Sequence, residues 1–169
     1  MAETICNTSP IQYLFQVDLL DLLPSLYGEV IVPEAVLVEI ADGRRQGVVL
    51  PDVESLPWAQ VGRAKEQALL PILTDLGPGE REVLALAVER PGSLALLDDR
   101  LARRYALHLG LKFTGTLGIL LLAKRRGRLR AVAPVLDELD RREFRLDAGT
   151  RSVVLKLSGE SPAQAPSCR

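Results

Sequence analysis

Glu80 is the carboxylate whose setting says most about chemistry. It opens a helical pattern running to Glu89, and Val83, Leu84 and Ala87 follow it at spacings of three, four and seven. Those spacings put it on the apolar face of its helix, where an acid is costly unless a cation or donor offsets it. Glu82, two residues on, fits the ordinary first-turn role of favouring the helix dipole. Asp98-Asp99 is a second acidic feature. One of the two suits an N-cap ahead of Arg100, which leaves the other for a cation. Grouped carboxylates repel unless a positive charge intervenes, and hard oxygen donors select Mg²⁺ or Mn²⁺. Glu34 and Glu39 lie at the edge of a stripe of Val36, Leu37 and Ile40. Periodicity does not choose between them, and each alone reads most simply as a solvated helix charge.

Three short hydrophilic stretches accompany these acids: Asn7-Thr8-Ser9, Asp98-Asp99 and Thr114-Gly115-Thr116. Each ends a short β-branched or aliphatic run. In a parallel sheet such ends share one edge, and ligands bind beyond the carboxyl ends of the strands. The candidate cations for a polyanion are Arg100, Arg103 and Arg104, and the run Lys124-Arg125-Arg126-Gly127-Arg128-Leu129-Arg130. Such clusters neutralise phosphates; they also serve simply to stabilise helix C-termini, as Gly127 suggests here. A lone His108 excludes an imidazole-built metal site, and Cys6 and Cys168 are too few for a disulfide framework or zinc centre. All three read as structural.

The elements that must position these residues alternate. Strands are expected at Thr4–Cys6, 29–32, 93–97 and 111–114. A helix begins at Pro10 and meets an interruption at Pro24; another runs from Pro33 to Ala41, ahead of a loop over 42–47. The stretch to Val61 is irregular, with Pro51 and Pro57, and a helix is expected over 63–70. Gly77-Pro78-Gly79 breaks the chain before the Glu80 helix. Further helices are expected at 100–109, from Thr116 to about Gly127, and at 134–142 and 147–157. Alternation of this kind implies right-handed crossovers and a parallel sheet, hence an α/β three-layer αβα sandwich.

The bulk properties agree. With 169 residues and 47% apolar content, the chain suits one domain with a core of Leu, Val, Ile and Ala, since aromatics are only 4%. The expected domain spans 1–157, with a disordered tail over 158–169. No segment reaches the roughly 18–20 apolar residues of a membrane span, and no signal peptide is visible, so a cytoplasmic protein is expected. Net charge is −1, but residues 1–99 carry 6 Lys/Arg against 16 Asp/Glu, while residues 100–156 carry 14 against 5. This asymmetry fits a nucleic-acid-binding half, or two halves that attract each other.

Taken in order, the motifs resemble those of the PIN-domain superfamily, in a VapC-like branch. They are Asn7-Thr8-Ser9-Pro10, Val32-Pro33-Glu34-Ala35-Val36 with Glu39, Leu76-Gly77-Pro78-Gly79-Glu80, Leu96-Leu97-Asp98-Asp99-Arg100, and Thr114-Gly115-Thr116-Leu117-Gly118 followed by Ala123-Lys124. The resemblance covers about residues 4–145. It implies an acidic cluster holding Mg²⁺ or Mn²⁺ and an endoribonuclease activity, as in the toxin of a type II toxin–antitoxin pair. Asn7 then stands where the family has its first Asp. Glu39 matches the helix-two acid, Glu80 the acid opening the central helix, and Asp98 or Asp99 the acid after the third strand. Thr8, Ser9 and Thr116 would supply hydroxyls to the metal's water shell. RNA, a cognate antitoxin protein and a second copy in a homodimer are the implied partners.

Asn7 departs from that pattern. An amide oxygen ligates Mg²⁺ but brings no charge and is a poor base. A second reading is therefore a PIN-fold module that binds RNA or protein with weakened catalysis. A phospho-accepting receiver domain is a third, poorer fit, because its acidic pair would follow the first strand.

Overall fold

The computed structural model describes residues 2–65 and 73–161. Five parallel strands form one sheet: β1 (Thr4–Cys6), β2 (Val30–Pro33), β3 (Ala59–Gly62), β4 (Leu94–Leu96) and β5 (Lys112–Thr114), in the order β3-β2-β1-β4-β5. β1 lies between β2 and β4, with Ile5 opposite Ile31 on one side and Ala95 on the other. Every residue of β1 and β2 is buried, as expected of central parallel strands covered on both faces. Helices flank the sheet in a three-layer αβα arrangement, as the alternation of elements predicts.

The helices of this part are α1 (Thr8–Gln16), α2 (Leu22–Tyr27), α3 (Glu34–Arg45), α4 (Pro78–Glu89) and α5 (Arg100–His108). The strand order reverses between β1 and β4. Such a switch point opens a crevice at the carboxyl ends of the two strands. Asn7 follows β1 and Asp98 lies just beyond β4, so both candidate residues stand at that crevice.

Several local expectations need correction. The sheet has five strands, not four. The stretch containing Pro57 includes edge strand β3, whose Gln60 and Val61 are exposed and so give no alternating signal. Pro24 does not interrupt a helix. The break falls earlier, at Val17–Asp21, where Asp18 adopts φ 57°, and Pro24 sits in the first turn of α2, where its missing N–H costs nothing. α3 continues through Arg45 across the expected loop. Arg63, Ala64 and Lys65 are not helical, and the rest of the helix expected over 63–70 lies outside the described residues.

The chain divides into two compact units, Met1–Thr116 and Leu117–Arg169. The second contains nearly all of α6 (Thr116–Arg125), with α7 (Ala133–Arg141) and α8 (Ala148–Ser158). Within it, Glu160 accepts the N–H groups of Val132 and Ala133 at 2.7 and 2.9 Å and pairs with Lys124 at 3.3 Å. Ser158 closes α8 rather than starting a tail, and residues 162–169 lie outside the described residues.

Candidate active site

Asn7 is the N-cap residue of α1 and is fully buried. Its backbone N–H extends the sheet pairing by donating to Leu96 O at 3.1 Å. The side chain caps nothing. Nδ2 instead donates to Glu80 Oε1 at 2.9 Å, and Oδ1 has no hydrogen-bond partner although it is buried. A buried acceptor left unpaired is rare in folded proteins.

Glu80 reaches Asn7 because α4 begins two residues earlier than its apolar pattern indicates. Gly77 is the N-cap and Pro78 sits at the first position, where proline suits a helix start. Glu39 comes from α3 and completes the group. Its Oε1 accepts the Gly79 N–H at 2.8 Å, and its Oε2 accepts the Thr8 hydroxyl. Glu34, five residues earlier, pairs instead with Arg63 at an exposed site. The choice of Glu39 over Glu34, which periodicity leaves open, is therefore made by packing.

The glycines of Gly77-Pro78-Gly79 give this group its closeness. A Cβ on Gly79 would stand 2.5 Å from Glu39 Oε2 and 2.9 Å from Asn7 Oδ1. A Cβ on Gly77 would stand 2.5 Å from Glu80 Oε2. Side-chain carbon at either position would push the carboxylates away. The motif read from sequence as a chain break is thus part of the site. Glu82 was also undervalued. It does not merely favour its own helix dipole: its Oε2 accepts Ala35 N–H at 2.7 Å and its Oε1 accepts Ala64 N–H at 3.3 Å. That bond satisfies a first-turn donor of α3 and joins the two helices that carry Glu39 and Glu80.

The acidic pair divides its labour. Asp99 is the N-cap of α5 and accepts Ala102 N–H at 2.8 Å. Asp98 turns to the other side, accepting the Thr116 N–H at 2.7 Å on Oδ1 and its hydroxyl at 2.6 Å on Oδ2. Burial pushes the Asp98 carboxyl above its ordinary range, against the opposing effects of Thr116 and Arg103. The neighbouring Cys6 thiol is pushed up as well, by its own burial and then by the Asp98 charge. Gly115 is required here too, since a Cβ would lie 2.6 Å from Asp98 Oδ1.

The structure thus gathers Asn7, Thr8, Glu39 and Glu80 into one hydrogen-bonded group and ties Asp98 to Thr116 in another. Ser9 lies in the first turn of α1. Among the described residues, no group of three His, Cys, Asp or Glu side chains is placed to hold a metal; the inner group has two carboxylates and an amide. Oxygen donors of this kind, with one acceptor left without a donor, fit a hard divalent cation.

A family model described as DUF3368: PIN domain matches residues 3–160. The chain belongs to the PIN-domain family. No curated protein and no solved structure gives a match. PIN domains are generally nucleases that use divalent metal ions, so this PIN domain has a hydrolytic, nuclease-type fold.

The basic candidates of this PIN domain lie on α5 and at the end of α6. Arg100, Arg103 and Arg104 are exposed on α5, and the Arg103 guanidinium lies 5.4 Å from the Phe113 ring centre, a cation–π contact. Arg125 and Arg126 are exposed at the end of α6. Lys124 is engaged in the fold, donating to Arg130 O at 2.5 Å as well as pairing with Glu160. No helix among the described residues is long and apolar enough to cross a membrane.

Proposed function

We propose that this chain is an endoribonuclease that hydrolyses RNA phosphodiesters with Mg²⁺ or Mn²⁺, the toxin of a VapC-like type II toxin–antitoxin pair, working in the cytoplasm as a homodimer held in check by a cognate antitoxin. The observation that carries the nuclease reading is the buried, partnerless Asn7 Oδ1 beside Glu39 and Glu80. A cation held by these three residues would satisfy that oxygen and offset the two carboxylates. When bound, such an ion supplies charge neutralisation and lowers the pKa of a coordinated water.

The chain's own residues then do the positioning. Thr8 and Gly79 fix the two oxygens of Glu39, and Asn7 Nδ2 fixes Glu80 Oε1, which leaves Glu80 Oε2 for a cation or its water. In hydrolysis the water oxygen adds to phosphorus, one P–O ester bond breaks, and the proton ends on the leaving oxygen. Asp98 holds the N–H and hydroxyl of Thr116 at the head of α6, and Asp99 starts α5, which presents Arg100, Arg103 and Arg104 to RNA, with Arg125 and Arg126 as further phosphate contacts, whereas Lys124 is held by Arg130 and Glu160.

Asn7 also supports a second reading, an RNA- or protein-binding module with weakened catalysis, because it brings no charge and its amide already occupies Glu80. Mn²⁺ titration by calorimetry separates the two. The nuclease reading expects binding by the natural sequence, loss of at least tenfold in affinity in Glu80→Gln, and RNA cleavage abolished by EDTA and by Glu80→Gln alike. No metal binding until Asn7→Asp is introduced would favour the binding module.

A further inference from the structure

Arg81 has no role in the group described so far. It follows Glu80 in α4, its Nε is buried, and that Nε has no hydrogen-bond partner. Among the described residues, no salt bridge reaches its guanidinium, whereas Arg63, which lines the same cleft, pairs with Glu34. Arg81 lines a cavity of about 350 Å³ between the first turns of α3 and α4, together with Arg63, Glu34, Pro78, Glu82 and Val38. Of the two acids there, Glu82 is spent on the N–H groups of Ala35 and Ala64, and Glu34 pairs with Arg63 where both are more than half exposed. Among the described residues, Arg81 therefore has no acid paired with it where it lines the cleft.

The cleft and the acidic group are both built on the first turn of α4. Pro78 lies between the two glycines that touch Glu39 and Glu80, and Arg81 is the residue after Glu80. A site built on two carboxylates repels a polyanion, so a strand must be held by cations placed beside it. Arginine is suited to this, since its planar fork binds two phosphate oxygens at once.

We propose that Arg81, with Arg63 across the cleft, forms a subsite that grips a phosphate of the RNA strand adjacent to the one at Asn7, Glu39 and Glu80. The inference rests on the nuclease reading for its substrate, but its test does not depend on cleavage. Arg81 is a positioning residue: it holds the strand, and the neighbouring group acts on it. Arg63 exchanges Glu34 for the phosphate, which its exposure permits.

The test is fluorescence anisotropy of a labelled single-stranded oligoribonucleotide in EDTA, over a range of salt concentrations. Arg81→Gln is expected to bind about tenfold more weakly and to lose roughly 0.7 from the slope of log affinity against log salt, the share of one phosphate contact on a single strand. Arg81→Lys keeps the slope and regains part of the affinity, and Arg63→Gln loses slope on its own. The melting temperature of Arg81→Gln is expected to hold, because the variant removes an unpaired buried donor. A lowered melting temperature with an unchanged slope makes Arg81 structural and overturns the subsite, as does a wild type that binds no oligonucleotide. Release of the oligonucleotide by millimolar inorganic phosphate at fixed ionic strength, seen in wild type but not in Arg81→Gln, would assign the cleft to free phosphate and also overturn it. A changed slope in a protein that cleaves nothing with any divalent ion keeps the subsite and removes the nuclease reading; cleavage lost in Glu80→Gln with an unchanged Arg81→Gln slope does the reverse.

Discussion

Asn7 and Asp98 lie just beyond neighbouring strands of one sheet, yet their surroundings are opposite. Both oxygens of Asp98 are taken by a single residue, Thr116, through its N–H and its hydroxyl. Asn7 gives its amide N–H to Glu80 and leaves its oxygen unmatched. Each side holds a carboxylate whose two oxygens already accept donors, Asp98 on one and Glu39 on the other; what sets the Asn7 side apart is a buried acceptor with no partner. An acid at a strand end is therefore not evidence of a ligand site by itself. What matters is whether a buried acceptor beside it is left without a partner.

Substitutions can break this contrast. Gly79→Ala should have the largest effect, because a Cβ would meet Glu39 Oε2 and Asn7 Oδ1 together. Mn²⁺ affinity by calorimetry should fall on the order of 10–100-fold, the range for losing the groups that orient a metal ligand. Unchanged affinity would show that Glu39 does not contribute to metal binding beside Asn7.

Asn7→Asp sharpens the comparison. It replaces the amide–carboxylate bond with two facing carboxylates, so in EDTA the variant should be less stable by about 1–3 kcal/mol in urea unfolding. Mn²⁺ should restore the loss and bind more tightly than to the natural sequence. A variant as stable as the parent in EDTA would mean that Asn7 does not hold Glu80.

On the Asp98 side the effects are smaller. Asp99→Ala removes the cap of α5 and should cost about 1 kcal/mol of unfolding free energy, with Mn²⁺ affinity untouched. Asp98→Asn should act mainly through pH. The Asp98 carboxyl is raised in the folded chain, above an unfolded value of about 3.9. The folded state thus holds the proton longer, and stability declines as pH rises from about 3.9 through the raised value, then levels off. Asp98→Asn cannot make this contribution. Urea unfolding across that window should show a flatter profile for the variant, and parallel profiles would refute the assignment.

Much of this was legible beforehand, for identifiable reasons. Glu80 announced itself because helical spacing put an acid on the same face as Val83, Leu84 and Ala87, which are all buried. β1, β2, β4 and β5 were visible as short apolar runs bounded by turn residues. β3 was not, since two of its four residues are exposed and Pro57 stands just before it. Local propensity places the start of α4 two residues late because glycines flank Pro78, and it cannot sense that those glycines are needed for close approach.

By itself the sequence determined the alternation of strands and helices, the parallel sheet that follows from it, and the residue types at the strand ends, because periodicity and turn chemistry are local. Tertiary structure alone decided how these side chains are partnered: Glu39 rather than Glu34 at Gly79, Asp98 to Thr116 with Asp99 left as a cap, and Arg81 in a cleft whose two acids, Glu34 and Glu82, are engaged by other groups. The partners of Glu39 and Asp98 depend on donors 40 and 18 residues away, and no local pattern records such distances.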